Sequence, residues 1–101
     1  MASTSVALVT GGAGSIGAAV CRRLAGSGRT VVVADLEQGP ADAVAAGLPG
    51  SDHVGVGLDV ADTDEVREAC GRIERDRGPI DVVANVAGWD RFVPFVETTP
   101  D

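Results

Sequence analysis

Residues Thr10 to Gly17 read Thr-Gly-Gly-Ala-Gly-Ser-Ile-Gly. An apolar run, Val6 to Val9, precedes this segment, and an apolar helical stretch begins near Ile16. A strand, a glycine turn and a helix in so few residues force a tight reversal of the chain. That reversal suits a layered α/β arrangement in which the helix packs back onto the strand. Asp35 then follows eighteen residues after Gly17 and ends a second β-branched run.

A glycine turn of this kind lets backbone N–H groups at a helix N-terminus approach a pyrophosphate, where the helix dipole also favours negative charge. An acid about 20 residues further on stands where a dinucleotide-binding fold makes its ribose contact. The turn fits three spacings: Gly12-x-Gly14-x-x-Gly17, Gly11-x-x-Gly14-x-x-Gly17, and Gly11-x-x-x-Ser15-x-Gly17. A carboxylate at Asp35 can accept from both adenosine ribose hydroxyls and would repel a 2′-phosphate. Leu36 beside it is apolar, and the turn contains no Lys or Arg. These features favour NAD over NADP.

The remaining pattern alternates strand and helix. Strands are expected at Ser5 to Thr10, Thr30 to Ala34, Val54 to Val60 and Ile80 to Ala84. The first helix is expected to be capped by Ser15 and to run to about Ala25, with Ile16, Ala19, Val20 and Leu24 on its apolar stripe. Pro40 opens a second helix through Ala46. Asp62 and Glu65 form a capping-box-like start to a third, which presents Val66, Ala69, Cys70 and Ile73 on one face and ends at Gly78-Pro79. The order β-α-β-α-β-α-β predicts a Rossmann-type open parallel sheet with helices on both faces and strand order 3-2-1-4.

Charge and composition exclude other classes. The net charge of −7 opposes nucleic acid and anionic membrane surfaces. Apolar residues make up 45% of the chain, enough for a packed core. No apolar run reaches the roughly 18 residues of a membrane span. Cys21 and Cys70 fall on apolar helical positions and read as core residues in a reducing cytoplasm. No His/Cys cluster has metal-ligand spacing. His53, the single histidine, precedes a strand and is assigned a surface role.

Three further segments bring out a family resemblance. Leu58-Asp59-Val60, Gly78-Pro79-Ile80-Asp81 and Asn85-Val86-Ala87-Gly88 follow the glycine turn in the order and spacing of the short-chain dehydrogenase/reductase family. The resemblance covers essentially the whole chain. It implies that Gly11, Gly14, Ser15, Ile16 and Gly17 cradle the cofactor, with Asp35 and Leu36 at its ribose. It also implies that Asp59 meets the adenine amino group, that Val60 lines the ring, and that Asn85, Ala87 and Gly88 lie beside the cofactor ribose. Val86 departs from the commoner second Asn of that last motif. The glycine string also resembles the extended branch of nucleotide-sugar epimerases and dehydratases. Asp59-Val60 and Asn85 to Gly88 look like the smaller oxidoreductase branch.

Within that branch, Ala87 to Asp90 and Pro94-Phe95 are similar to dehydrogenases of alicyclic hydroxyacyl-CoA thioesters, such as 2-hydroxycyclohexanecarboxyl-CoA. Trp89 and Phe95 would line that substrate's pocket. The resemblance implies hydride transfer between an alcohol or ketone and a nicotinamide, and a full-length homo-oligomer. Its acid/base is a tyrosine activated by a lysine four residues later, with a serine orienting the carbonyl. The chain has no tyrosine and no lysine. The ending Thr98-Thr99-Pro100-Asp101 reads as a helix start. The expectation is one partial nucleotide-binding domain over 1–101, truncated before the catalytic half. A stand-alone nucleotide-binding module is the alternative.

Overall fold

In a computed structural model, residues 5–86 are described. The elements are β1 (Val6–Thr10), α1 (Ser15–Gly26), β2 (Thr30–Asp35), α2 (Gln38–Ala46), β3 (Val54–Gly57), α3 (Thr63–Arg77) and β4 (Ile80–Asn85). All strand pairs are parallel, in the order β3-β2-β1-β4. This is the expected 3-2-1-4 sheet, with one helix connecting each strand to the next.

Alternation along the central strands divides the core in two. Val6, Leu8, Val32 and Ala34 face α3, where Ala69 and Ile73 cover them. Val9, Val31 and Val33 face the opposite layer and meet Cys21 and Ala25 of α1 and Ala41 and Ala45 of α2. Val31, Val32 and Val33 are all fully buried, as a central parallel strand covered on both faces requires. Each such side chain removed from water stabilises the fold by roughly 1.5–3 kcal/mol. On β4 the register shifts between Val6 and Ala7. Asp81 serves this irregularity: its Oδ1 accepts from the Val6 N–H at 3.1 Å and from Ser5 Oγ at 2.8 Å.

Four local expectations need correction. Ser15 does not cap α1. Gly14 is the N-cap residue, with no side-chain cap bond, so Ser15 already lies in the first turn. The buried face of α1 is Gly17, Cys21 and Ala25, while Ile16 is 70% exposed and Ala19 is also exposed. Small residues let the helix sit close on the sheet, and this outweighs the larger apolar side chains. Helix α2 starts at Gln38, so Pro40 is its third residue. Proline is tolerated there because first-turn N–H groups have no intrahelical acceptor. Strand β3 stops at Gly57, not Val60. Leu58 still donates to the Asp35 carbonyl at 2.7 Å. Beyond it, Asp59 Oδ1 takes the Ala61 N–H at 2.9 Å and the Asp59 carbonyl takes the Asp62 N–H at 3.0 Å, turning the chain off the sheet.

His53 is half-buried, and its surface assignment sharpens into a bracing role. Its Nδ1 accepts from the Val31 N–H at 3.0 Å, and its Nε2 lies 2.7 Å from the Pro49 carbonyl. The Nε2–H tautomer satisfies both bonds. The side chain thus serves a β2 amide one residue before the pairing of Val32 with Val54 begins.

Candidate functional site

The carboxyl ends of β1, β2 and β3 open onto one cleft of about 730 Å³. Its floor is the glycine turn. The ladder continues past the end of β1, because Gly12 donates to the Ala34 carbonyl at 3.0 Å. Gly11 adopts φ 70, a left-handed conformation that disfavours side-chain-bearing residues. Gly17 packs on that turn so closely that an added Cβ would come within 2.8 Å of the Gly12 Cα and would also strike the Gly11 carbonyl group. The first turn of α1 is thereby drawn tight against the end of the strand.

Hydrogen bonding inside the turn uses its early donors. Ala13 N–H goes to Asp35 Oδ2 at 2.9 Å, and Gly14 N–H goes to the Gly11 carbonyl at 3.3 Å. Intrahelical bonding begins with Ala18 N–H to the Gly14 carbonyl at 2.8 Å. The N–H groups of Ser15, Ile16 and Gly17 therefore have no acceptor among the described residues, and all three residues line the cleft. No acidic residue occupies the first turn of α1 to offset its positive end. Three donors and a helix dipole converge on one place, an arrangement suited to a phosphate or pyrophosphate.

The other end of the cleft is built from side chains. Asp35 lies at its wall; Oδ1 accepts from the Leu36 N–H at 2.7 Å while Oδ2 holds Ala13. Each oxygen keeps acceptor capacity for a further donor. Leu36 and Val60 are 69% and 47% exposed, and both line the cleft. A pair of exposed apolar side chains in a polar cleft offers contact area to a flat apolar ring. Asp59 lies beside them. Glu37 adds a third carboxylate, and no Lys or Arg is among the lining residues.

Of the expected site residues, Gly11, Gly14, Ser15, Ile16, Gly17, Asp35, Leu36, Asp59 and Val60 come together on this cleft. Asn85 does not line it. Its Oδ1 accepts from Thr10 Oγ1 at 2.7 Å across the β1–β4 pair, which turns the carboxamide toward the sheet. Ala87 and Gly88 lie outside the described residues, as do Trp89, Phe95 and the expected helix start at 98–101. The sequence reading missed Ala13, Glu37, Pro40, Leu58, Ala61 and Val86 as lining residues. Ala13 was within the glycine string and Glu37 within two residues of Asp35, so proximity was the available signal. No group of His, Cys, Asp and Glu suited to a metal occurs among the described residues.

This geometry defines a Rossmann-type α/β unit. Comparison with known proteins makes it more specific. Residues 5–101 match the short chain dehydrogenase family, and the chain belongs to it. It is 42% identical over 103 aligned positions to the uncharacterized oxidoreductase YuxG of Bacillus subtilis, covering 96% of this chain and 15% of that protein. It is 40% identical over 94 positions to D-threitol dehydrogenase of Mycolicibacterium smegmatis, covering 91% and 36%. The menthone neomenthol reductase of Mentha piperita superposes with a TM-score of 0.79 at 30% identity, over 88% of this chain and 33% of that one. An oxidoreductase from Haemophilus influenza solved with bound NAD shares the fold, with a TM-score of 0.82 at 24% identity over 88% and 32%. The chain thus spans about a third or less of these relatives.

Proposed function

We propose that the cleft holds the adenosine and pyrophosphate parts of NAD, and that the whole protein is an NAD-dependent oxidoreductase interconverting an alcohol and a ketone. The observation that carries this reading is the set of unpartnered N–H groups at Ser15, Ile16 and Gly17, in the same cleft as Asp35. Gly11 and Gly14 shape the turn, and the three amides take the pyrophosphate. Asp35 takes the adenosine ribose hydroxyls, Leu36 and Val60 flank the adenine, and Asp59 meets its amino group. A place beside the cofactor ribose for Asn85, Ala87 and Gly88 rests on the family resemblance alone, since Asn85 does not line the cleft. The nicotinamide supplies the hydride chemistry; these residues bind and orient it. A Tyr–Lys acid/base pair has to come from outside residues 1–101, which contain neither residue type. The unpaired thiols Cys21 and Cys70 fit a reducing cytoplasm. Names such as D-threitol dehydrogenase and meso-2,3-butanediol dehydrogenase among the relatives favour a small alcohol. An acyl-CoA substrate and a homo-oligomeric whole protein rest on the family resemblance alone.

Titration calorimetry with NAD and NADP tests the cofactor assignment. A carboxylate and a doubly charged 2′-phosphate roughly 5 Å apart in a water-like medium repel by about 1.5 kcal/mol, or around tenfold in affinity. NAD should bind the unaltered protein at least that much more tightly than NADP. Asp35→Ala should bring the ratio toward one. The ratio is the diagnostic quantity, because the substitution also removes the acceptor of the Ala13 N–H and weakens both ligands. An unchanged ratio would remove Asp35 from this role.

A further inference from the structure

Gln38 is an exposed residue at the start of α2, yet its carboxamide is fully engaged. Nε2 donates to the Gly55 carbonyl at 2.7 Å and to Asp42 Oδ1 at 2.8 Å. Oε1 accepts from the Gly57 N–H at 2.8 Å. In a parallel ladder, a residue on one strand donates to the carbonyl before its opposite number and accepts from the N–H after it. Gln38 makes that pair of bonds around Val56. One side chain replaces the peptide group of a neighbouring parallel strand on the outer edge of β3.

The bonds lead directly to the cleft. Gly57 is the register partner of Asp35 across the β2–β3 pair. The next residue, Leu58, donates to the Asp35 carbonyl, and Asp59 and Val60 follow it into the cleft wall. Gln38 itself follows Leu36 and Glu37, which also line the cleft. We propose that Gln38 is a positioning residue for the cofactor: its carboxamide ties the Leu36–Glu37 wall to the Leu58–Val60 wall and sets the width of the adenosine end. The inference rests on the adenosine reading of the cleft given above. It predicts a selective effect, since the donors of α1 at the phosphate end have no bond to Gln38.

The test compares NAD, ADP-ribose and nicotinamide mononucleotide on the unaltered protein and on Gln38→Ala. Loss of two wall-spanning hydrogen bonds should weaken NAD and ADP-ribose alike, by about tenfold, and leave the mononucleotide unchanged. A folded Gln38→Ala protein with unaltered ADP-ribose affinity would overturn the proposal, as would an equal loss for all three ligands. If the unaltered protein takes no ADP-ribose, the adenosine reading falls and this inference with it. If it binds and only the variant comparison fails, the adenosine reading stands. Should Gln38→Ala not fold, amide exchange on the unaltered protein decides. The Gly57 N–H should exchange slowly despite its edge position, and more slowly still with ADP-ribose bound. Exchange at the rate of an open edge amide, or indifference to ADP-ribose, would overturn the proposal.

Discussion

Gly55 and Gly57 occupy the same short strand two residues apart, yet replacement by alanine should have very unequal consequences. A Cβ at Gly55 would lie 2.5 Å from the Ala41 carbonyl carbon and 2.5 Å from the Asp42 nitrogen, both main-chain atoms of α2. Ordinary contact begins near 3.5 Å, so the helix would have to retreat by about 1 Å. A Cβ at Gly57 would lie 3.2 Å from the Gln38 nitrogen, and a shift of about 0.3 Å suffices. Overpacking of the first kind costs roughly 3 kcal/mol, the upper part of the usual range. At Gly57 the small strain is offset by the 0.4–1 kcal/mol or so that alanine contributes through a less flexible unfolded chain. Neither glycine has positive φ, so backbone strain does not distinguish them. For a domain of this size, roughly 3 kcal/mol corresponds to a fall in Tm of about 12–24 °C. Urea denaturation followed by far-ultraviolet circular dichroism should show a large loss for Gly55→Ala and little change for Gly57→Ala. Strand propensity alone would have both substitutions stabilise the protein. Similar midpoints for the two variants would refute the packing argument.

Two further outcomes are expected from local chemistry. Asp62 caps α3 by accepting from the Glu65 N–H at 3.1 Å, so Asp62→Ala should destabilise by about 1 kcal/mol in the same denaturation assay, while Asp62→Asn should lose much less. Cys21 is fully buried; burial pushes its thiol up to about 11, partly opposed by the charge of Arg22. A native-state thiol titration near pH 8 should therefore label half-buried Cys70 well before Cys21. The shift also sets a sign. The unfolded thiol ionises near 9 and the folded one near 11. The contribution of neutral Cys21 is intact below pH 9 and is lost as pH rises through 11. Cys21→Ala should flatten that alkaline decline, although it also leaves a small void.

The strand order was legible because each apolar run was separated by a helix-length segment, and crossover handedness leaves few arrangements. The glycine turn was legible because its local chemistry is strict: Gly11 must reach positive φ, and Gly17 must clear the Gly11 carbonyl group. The buried face of α1 was not legible in the same way. Hydrophobicity ranks Ile16 above Gly17 and Cys21, but the closeness of helix to sheet selects the small residues, and Ile16 is left facing the cleft. Gln38 was invisible for a different reason. Its role depends on where α2 begins and on which β3 edge is open, and both are tertiary facts. The two glycines of β3 are where α2 and Gln38 approach the strand most closely.

The two ends of the cleft therefore answer to sequence change differently. The proposed phosphate end is made of main-chain donors at Ser15, Ile16 and Gly17, so side-chain substitutions that keep the shape of the turn leave the donors in place. The proposed adenosine end is lined by Leu36, Glu37, Asp59 and Val60, which can change without moving those donors. Asp35 belongs to both ends. Its Oδ2 holds the Ala13 N–H of the turn while the residue also lines the cleft, where the proposed reading puts the ribose. Replacing it should therefore disturb affinity and selectivity together. Asp35→Asn separates them: the amide oxygen can still accept from Ala13, and the charge that opposes a 2′-phosphate is gone. In that variant NAD affinity should be better preserved than in Asp35→Ala, while the preference over NADP falls by the same factor. If the two variants lose NAD affinity equally, the bond to Ala13 carries no weight in holding the turn, and the carboxylate acts on the ribose side alone.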